Sequence, residues 1–173
     1  MTRRPYIAAN WKMWGTRAQA AEYCERLPGL LPDSVEAEVV LCAPFTALDT
    51  VVKAVEGSDL RVAAQNMHQE ETGACTGEIS APMLTELGVH AVVLGHSERR
   101  QYFGETDRAL QEKVPSALDA GLEPILCVGE TEEEREQGET QRKLRGQVQE
   151  ALERIEPDRL PQVLIADEAI WAI

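Results

Sequence analysis

The sequence predicts an α/β fold: a barrel-type sheet of parallel strands, each followed by a helix that covers it. Three observations carry that prediction. Short runs that are apolar on both faces alternate with helical patterns along the chain, as parallel strands buried under helices require. No G-x-G-x-x-G or G-x-x-x-x-G-K-[ST] follows any strand candidate, which removes the main support for a nucleotide-binding doubly wound sheet. Polar residues gather at the C-terminal ends of the strand candidates, where barrels of repeated β/α units place their chemistry.

The first strand candidate is 6–9 (YIAA), and it runs into Asn10 and Lys12. Thr16 is a helix-start signal, after which Ala20, Tyr23, Cys24 and Leu27 repeat at i, i+3, i+4 and i+7. The second and third strands are 39–42 (VVLC) and 60–64 (LRVAA). Residues 65–79 follow with no period, and an uncovered stretch of that length reads as a lid or an interface arm. Ser80 opens the next helix. The fourth strand, 91–94 (AVVL), leads into GHSERR, where Ser97 reads as the cap. Leu110, Val114, Ala117 and Leu118 form the next helical face, and Pro115 inside it is expected to kink or break the helix. The fifth strand, 124–128 (PILCV), ends near Glu130. Thr131 then starts a helix whose acidic run, Glu132–Glu134 with Glu136, reads as a solvated face. Leu144, Val148, Leu152 and Ile155 mark the last helix before the sixth strand, 163–166 (VLIA), which delivers Asp167 and Glu168.

With 173 residues, 43% hydrophobic and 27% charged, residues 1–173 read as one globular domain. The net charge of −13, from 17 basic and 30 acidic residues, argues against nucleic acid or an anionic membrane as partner. It leaves room for a small anionic substrate held by a few local donors. No apolar run approaches the ~20 residues of a membrane span, and MTRRPYIAAN lacks the apolar stretch of a secretory leader. Cys24, Cys42, Cys75 and Cys127 are widely spaced, so reduced thiols in a cytoplasmic protein are expected. His68, His90 and His96 show no metal-ligand spacing with them.

Asn10 and Lys12 point to one side of the first strand, and an ammonium beside an amide suits a phosphate or a developing oxyanion. A solvated Lys at a turn is the bland alternative. His96 precedes a helix, whose dipole disfavours the imidazolium and favours a neutral donor; a surface capping histidine is the alternative. Glu168 closes an apolar strand, where burial is expected to raise its pKa and suit it as a general base. Asp167 should face the opposite way, so the two do not form a dyad. Arg99 and Arg100 read as ion-pair partners for nearby carboxylates.

AANWKM at 8–13, GACTGEIS at 73–80, LGHSERR at 94–100 with FGETD at 103–107, and ILCVGET at 125–131 resemble, in order and spacing, the triosephosphate isomerase family. The resemblance implies a TIM (β/α)8-barrel fold and interconversion of dihydroxyacetone phosphate and D-glyceraldehyde 3-phosphate, with neither metal nor organic cofactor. It implies that Lys12 stabilises the substrate and its enediolate, that Asn10 orients the substrate, and that His96, as neutral imidazole, polarises the carbonyl or shuttles a proton. Glu168 would carry the proton between adjacent carbons; the pairing of a Glu base with a neutral His is a known pattern of this family. Glu98 would sit beside Lys12, and Cys127 would pack near the base. The 65–79 loop would be the arm of a homodimer, with Thr76 and Glu78 in it and Thr76 reaching Asn10 and Lys12 of the partner.

Three departures from the family pattern stand out. Asp167 and Ala169 flank Glu168 where Tyr and Pro are usual, and Ala169 gives up a fixed φ at the lid hinge. Cys75 replaces an aromatic residue at the arm tip. The third is extent: against the ~250 residues of an eight-unit barrel, residues 1–173 supply five β/α units and a sixth strand. The lid and the last two units are then expected to lie outside them, with negligible turnover by residues 1–173 alone. A non-catalytic fragment that self-associates or needs complementation is the competing expectation. Another sugar-phosphate enzyme on the same barrel is rejected by the residue matches rather than by the fold.

Overall fold

The computed structural model describes residues 5–32 and 36–172; Ile173, the last residue of the sixth-strand segment, lies outside them. Six strands form one sheet in the order β1-β2-β3-β4-β5-β6, every neighbouring pair parallel. They are β1 Tyr6–Asn10, β2 Glu38–Ala43, β3 Leu60–Ala64, β4 Ala91–Leu94, β5 Glu123–Val128 and β6 Leu164–Asp167. Between them run α1 Arg17–Arg26, α2 Leu48–Ala54, α3 Ala81–Glu86, α4 Ser97–Tyr102, α5 Asp107–Asp119, α6 Glu132–Glu136 and α7 Thr140–Leu152. The sheet curls into an incomplete TIM barrel, and its curvature brings Asn10 at the end of β1 and Glu168 just beyond β6 onto one cleft.

Strand alternation divides the core in two. Val39, Leu41, Val62, Val92, Leu94, Leu126 and Val128 face outward and pack under helix residues such as Leu48, Leu84, Leu110, Val114 and Ala151. Val40, Cys42, Ala63, Ala91, Val93, Ile125 and Cys127 face inward as a second cluster, joined by Tyr6, Leu164 and Ala166. A parallel strand buried on both faces must be apolar at every position, which is why these runs lack polar alternation. The inner layer is built of small side chains because a curved sheet narrows on its concave face.

The helix starts use the chemistry their residues offer. Thr16 with Gln19 and Thr131 with Glu134 each form a reciprocal capping box, and the Thr106 side chain accepts from the Ala109 amide at the start of α5. Ser80 occupies the cap position of α3 without a side-chain bond. Two expectations need correction. The cap of α4 is His96, and Ser97 is its first helical residue. Pro115 does not interrupt α5, which runs unbroken from Asp107 to Asp119; the apolar face on either side, Leu110, Val114, Ala117 and Leu118, is buried against the sheet, and that packing outweighs one missing donor.

The 65–79 segment carries no helix or strand, only an isolated bridge from His68 to Ser80. Among the described residues, no helix is long and apolar enough to cross a membrane.

Candidate active site

The functional side chains stand at the C-terminal ends of β1, β4 and β6. Lys12 comes two residues after β1 and has φ +51°, the one positive φ outside glycine among the described residues. Such a backbone costs on the order of 1–3 kcal/mol and survives only where its surroundings over-determine it. Here they do. The Lys12 amide donates to Asn10 Oδ1 at 2.9 Å, and Gln65 Nε2 donates to the Lys12 carbonyl at 2.9 Å and to the Cys42 carbonyl at 2.9 Å. Thus held, Lys12 Nζ lies 2.8 Å from Glu98 Oε1. The pair is about a third exposed, so its attraction is worth little as stability and serves to aim the ammonium.

His96 is 7% exposed. Its Nδ1 accepts from the Glu98 amide at 3.2 Å, which leaves the ring proton on Nε2. Nε2 lies 2.8 Å from Glu168 Oε1, and the Ser97 amide donates to Glu168 Oε2 at 2.8 Å. Burial pushes the Glu168 carboxyl up, but the His96 and Ser97 donors outweigh it and hold it below its ordinary value. This overturns the expectation that burial would raise its pKa. Asp167, one residue after Ala166 of the inner cluster, is exposed and lines the same cleft as Glu168, so the expectation that it stands apart from the base is not met.

A buried network supports this face. The Glu105 carboxylate accepts from the Gly95 amide at 3.2 Å, from Arg99 Nε at 3.2 Å and from Lys113 Nζ at 2.5 Å, and Lys113 also donates to Asn66 at 2.9 Å. One carboxylate thereby ties the loop after β3 to the loop after β4. Arg100 donates to the Gly95 carbonyl at 2.7 Å and to the Cys127 carbonyl at 3.1 Å, and pairs with Asp107 at 2.5 Å. Gly95 has φ +75°, and a Cβ there would meet Leu110 at 2.7 Å, so only glycine fits.

Asn10, Lys12, His96 and Glu168 line one open cleft of about 400 Å³, together with Asp167, Ala169 and Ala172. A second cleft of about 370 Å³ shares Asn10, Lys12 and His96 and extends past Glu98 to Phe45 and Phe103. Cys127 is buried in the inner layer, where burial and the nearby Glu168 charge push its thiol up; burial likewise pushes Cys42 up to about 12. Both are poor nucleophiles in that state. Thr76 and Glu78 are exposed on the 65–79 segment and line neither cleft. Among the described residues, no group of three or more His, Cys, Asp or Glu is placed to hold a metal ion.

Sequence reasoning did not single out Gln65, Asn66, Glu105, Lys113 or Gln147. The signal was present for two of them. Lys113 falls three residues after Leu110, and Gln147 three after Leu144, each on the apolar face of its helix. A polar residue on such a face needs a buried partner.

At the beginning of the strand barrel's far end, Arg61 pairs with Glu38 and lies 2.8 Å from Glu123, a polar floor remote from the cleft.

The model of the family described as triosephosphate isomerase matches residues 5–173. The triosephosphate isomerase of Acetivibrio thermocellus is 51% identical over 173 residues, covering 100% of this chain and 68% of its own length. Those of Alkaliphilus metalliredigens and Clostridium novyi are 49% and 50% identical over 171 residues, 99% of this chain and 68% of theirs.

Proposed function

The chain belongs to the triosephosphate isomerase family, and from that premise we propose that it interconverts dihydroxyacetone phosphate and D-glyceraldehyde 3-phosphate. The observation that carries the reading is the 2.8 Å contact between His96 Nε2 and Glu168 Oε1 in a cleft shared with Lys12. Glu168 removes the proton from the carbon bearing the hydroxyl, and the electron pair moves to the carbonyl oxygen to form an enediolate. Lys12 balances the new negative charge, Asn10 orients the oxygens, and His96 donates from Nε2 to the oxygen where charge develops. Glu168 then returns the proton to the neighbouring carbon, while the hydroxyl proton passes by way of the His96 imidazole to the former carbonyl oxygen, so that the old hydroxyl oxygen becomes the new carbonyl. Glu98 aims Lys12, and Cys127 packs beneath the base. These steps use side chains alone.

The two donors that depress Glu168 are the ones it must leave to reach a carbon. Once the Ser97 and His96 bonds are released, the burial that raises its pKa acts unopposed and strengthens the base. The resting contacts thus keep the carboxylate charged until substrate takes its place on His96.

We read the molecule as cytoplasmic and as half of a homodimer. Support for the dimer comes from residues 70–74 and 76–78, exposed within the 65–79 segment, and from the 370 Å³ cleft beside Lys12, which is lined by Met13, 94% exposed, and Phe103, 69% exposed. Thr76 of a second copy is the group proposed to enter it.

Residues 1–173 alone are proposed to turn over negligibly, because the cleft that holds Glu168 stands open to water. A non-catalytic piece that associates or needs complementation is the second reading. It is favoured by the outer edges of β1 and β6, unpaired among the described residues, and by Ile7, 53% exposed, beside one of them. The test is uptake of solvent deuterium into dihydroxyacetone phosphate, followed by proton NMR, for residues 1–173 and for the same residues joined to the remaining third of the Acetivibrio thermocellus relative. Exchange by the fusion and not by its Glu168→Gln form supports the reaction. A folded fusion that exchanges nothing overturns it, and brisk exchange by residues 1–173 overturns the proposed inactivity.

A further inference from the structure

We propose that Gln147, a residue of α7 on the outer side of the sheet, is a positioning residue for the Glu168 carboxylate and acts through Gly129. Gln147 is 3% exposed and sits among apolar neighbours of its helix, Leu144, Val148 and Ala151. An apolar side chain of the same length would pack there without the cost of burying an amide. What the amide supplies is an acceptor: Gln147 Oε1 takes the Gly129 N–H at 2.9 Å, one residue beyond the end of β5.

Gly129 in turn touches the base's own peptide. A Cβ at Gly129 would lie 1.9 Å from the Glu168 carbonyl oxygen and 2.9 Å from its carbonyl carbon, so the two backbones are in direct contact and nothing but hydrogen fits between them. On the other side of the same residue, the Glu168 amide donates to the Val128 carbonyl at 2.7 Å. Residues 128 and 129 therefore grip the Glu168 backbone, and Gln147 fixes where residue 129 stands. The grip matters because the resting Glu168 places both carboxylate oxygens at once, one 2.8 Å from His96 Nε2 and the other 2.8 Å from the Ser97 amide, and this is the position from which it starts toward substrate. Displacements of about half an ångström are enough to lose such geometry. Without Gln147 the Gly129 amide would be left buried and unsatisfied, and the turn would shift to find water or another acceptor. The inference concerns where the carboxylate stands, and it holds whatever reaction the carboxylate serves.

The readout is the Ser97 amide in a ¹⁵N-labelled chain, since its bond to a carboxylate gives a downfield proton and slow exchange. Gln147→Met keeps the length of the side chain and removes the acceptor; it is expected to move the Ser97 proton upfield and to speed its exchange roughly tenfold to a hundredfold. Gln147→Glu keeps an acceptor oxygen and should restore the parent signature, which a role in packing alone would not predict. Gly129→Ala should disturb Ser97 in the same direction from the other side of the contact, and it keeps the test open if the Met variant does not fold. A folded Gln147→Met or Gly129→Ala chain with Ser97 unchanged would overturn the proposal, as would a Glu variant that behaves like Met.

Discussion

At the scale of single residues, the site is governed by what each polar group is forced to face. Lys12 is the clearest case: its left-handed backbone is held by Asn10 and Gln65, and its ammonium is aimed by Glu98. Replacing it with Met should weaken binding of 2-phosphoglycolate, an enediolate mimic, by about 10- to 100-fold, read by titration calorimetry on a chain that still folds. Glu168 yields a pH prediction. Burial raises its pKa and the His96 and Ser97 bonds lower it by more, so the folded value is below the unfolded one. A carboxyl depressed in this way contributes stability in full above its unfolded value, about 4.3, and loses it as pH falls through the folded value. Glu130, where burial is likewise outweighed by Trp171 and Arg135, adds to the same limb. The melting temperature of Glu168→Gln should therefore fall less steeply than the parent's between pH 5 and 3; parallel curves would count against the His96 and Ser97 bonds. The meeting of Lys12, His96 and Glu168 in one cleft was legible because each follows an apolar run at a strand end. The depressed acidity of Glu168 was not, since it depends on donors seventy residues away in sequence.

At the scale of elements, the segment from β4 to α5 does the most to organise the cleft. Gly95, the His96 cap and α4 are held by Glu105, Arg100 and Lys113, all drawn from the next twenty residues. Removing one partner of the buried Glu105–Lys113 pair leaves a charge uncompensated, and Glu105→Leu or Lys113→Met should each cost about 3–5 kcal/mol in urea unfolding. The double variant should cost clearly less than their sum; additive losses would show that the two do not act as a pair. Gly95→Ala should cost on the order of 1–3 kcal/mol, through φ +75° and the 2.7 Å approach of Leu110. Strand boundaries were legible to within a residue or two because both-face apolar runs have few alternatives at that length. α2 was not foreseen: it follows a 3₁₀ turn at Phe45–Ala47 and has no side-chain cap, so no start signal marks it. Pro115 misled in the other direction, because a breaker rule is local and the burial of α5 is not.

At the scale of the whole molecule, the exposed aromatic and Met side chains on the cleft face and the overall charge of −13 act against each other. Apolar contact favours pairing of two copies, and their shared negative charge opposes it. Sedimentation should show association strengthening as salt rises from 20 to 300 mM, across which the screening length falls from roughly 20 Å to about 6 Å. Thr76→Arg should weaken it, if the 65–79 segment is the docking arm. The barrel class was legible from repetition together with the missing nucleotide-binding motifs and the polar strand ends, whereas its curvature was not, because nothing in one strand's sequence states the angle to the next. The strand order has a consequence for how the chain is made. Every strand from β2 to β6 pairs with the one synthesised immediately before it, and none waits for a distant partner. On a translating ribosome each new β/α unit can dock onto a finished edge as it emerges, so that folding keeps pace with elongation instead of following release.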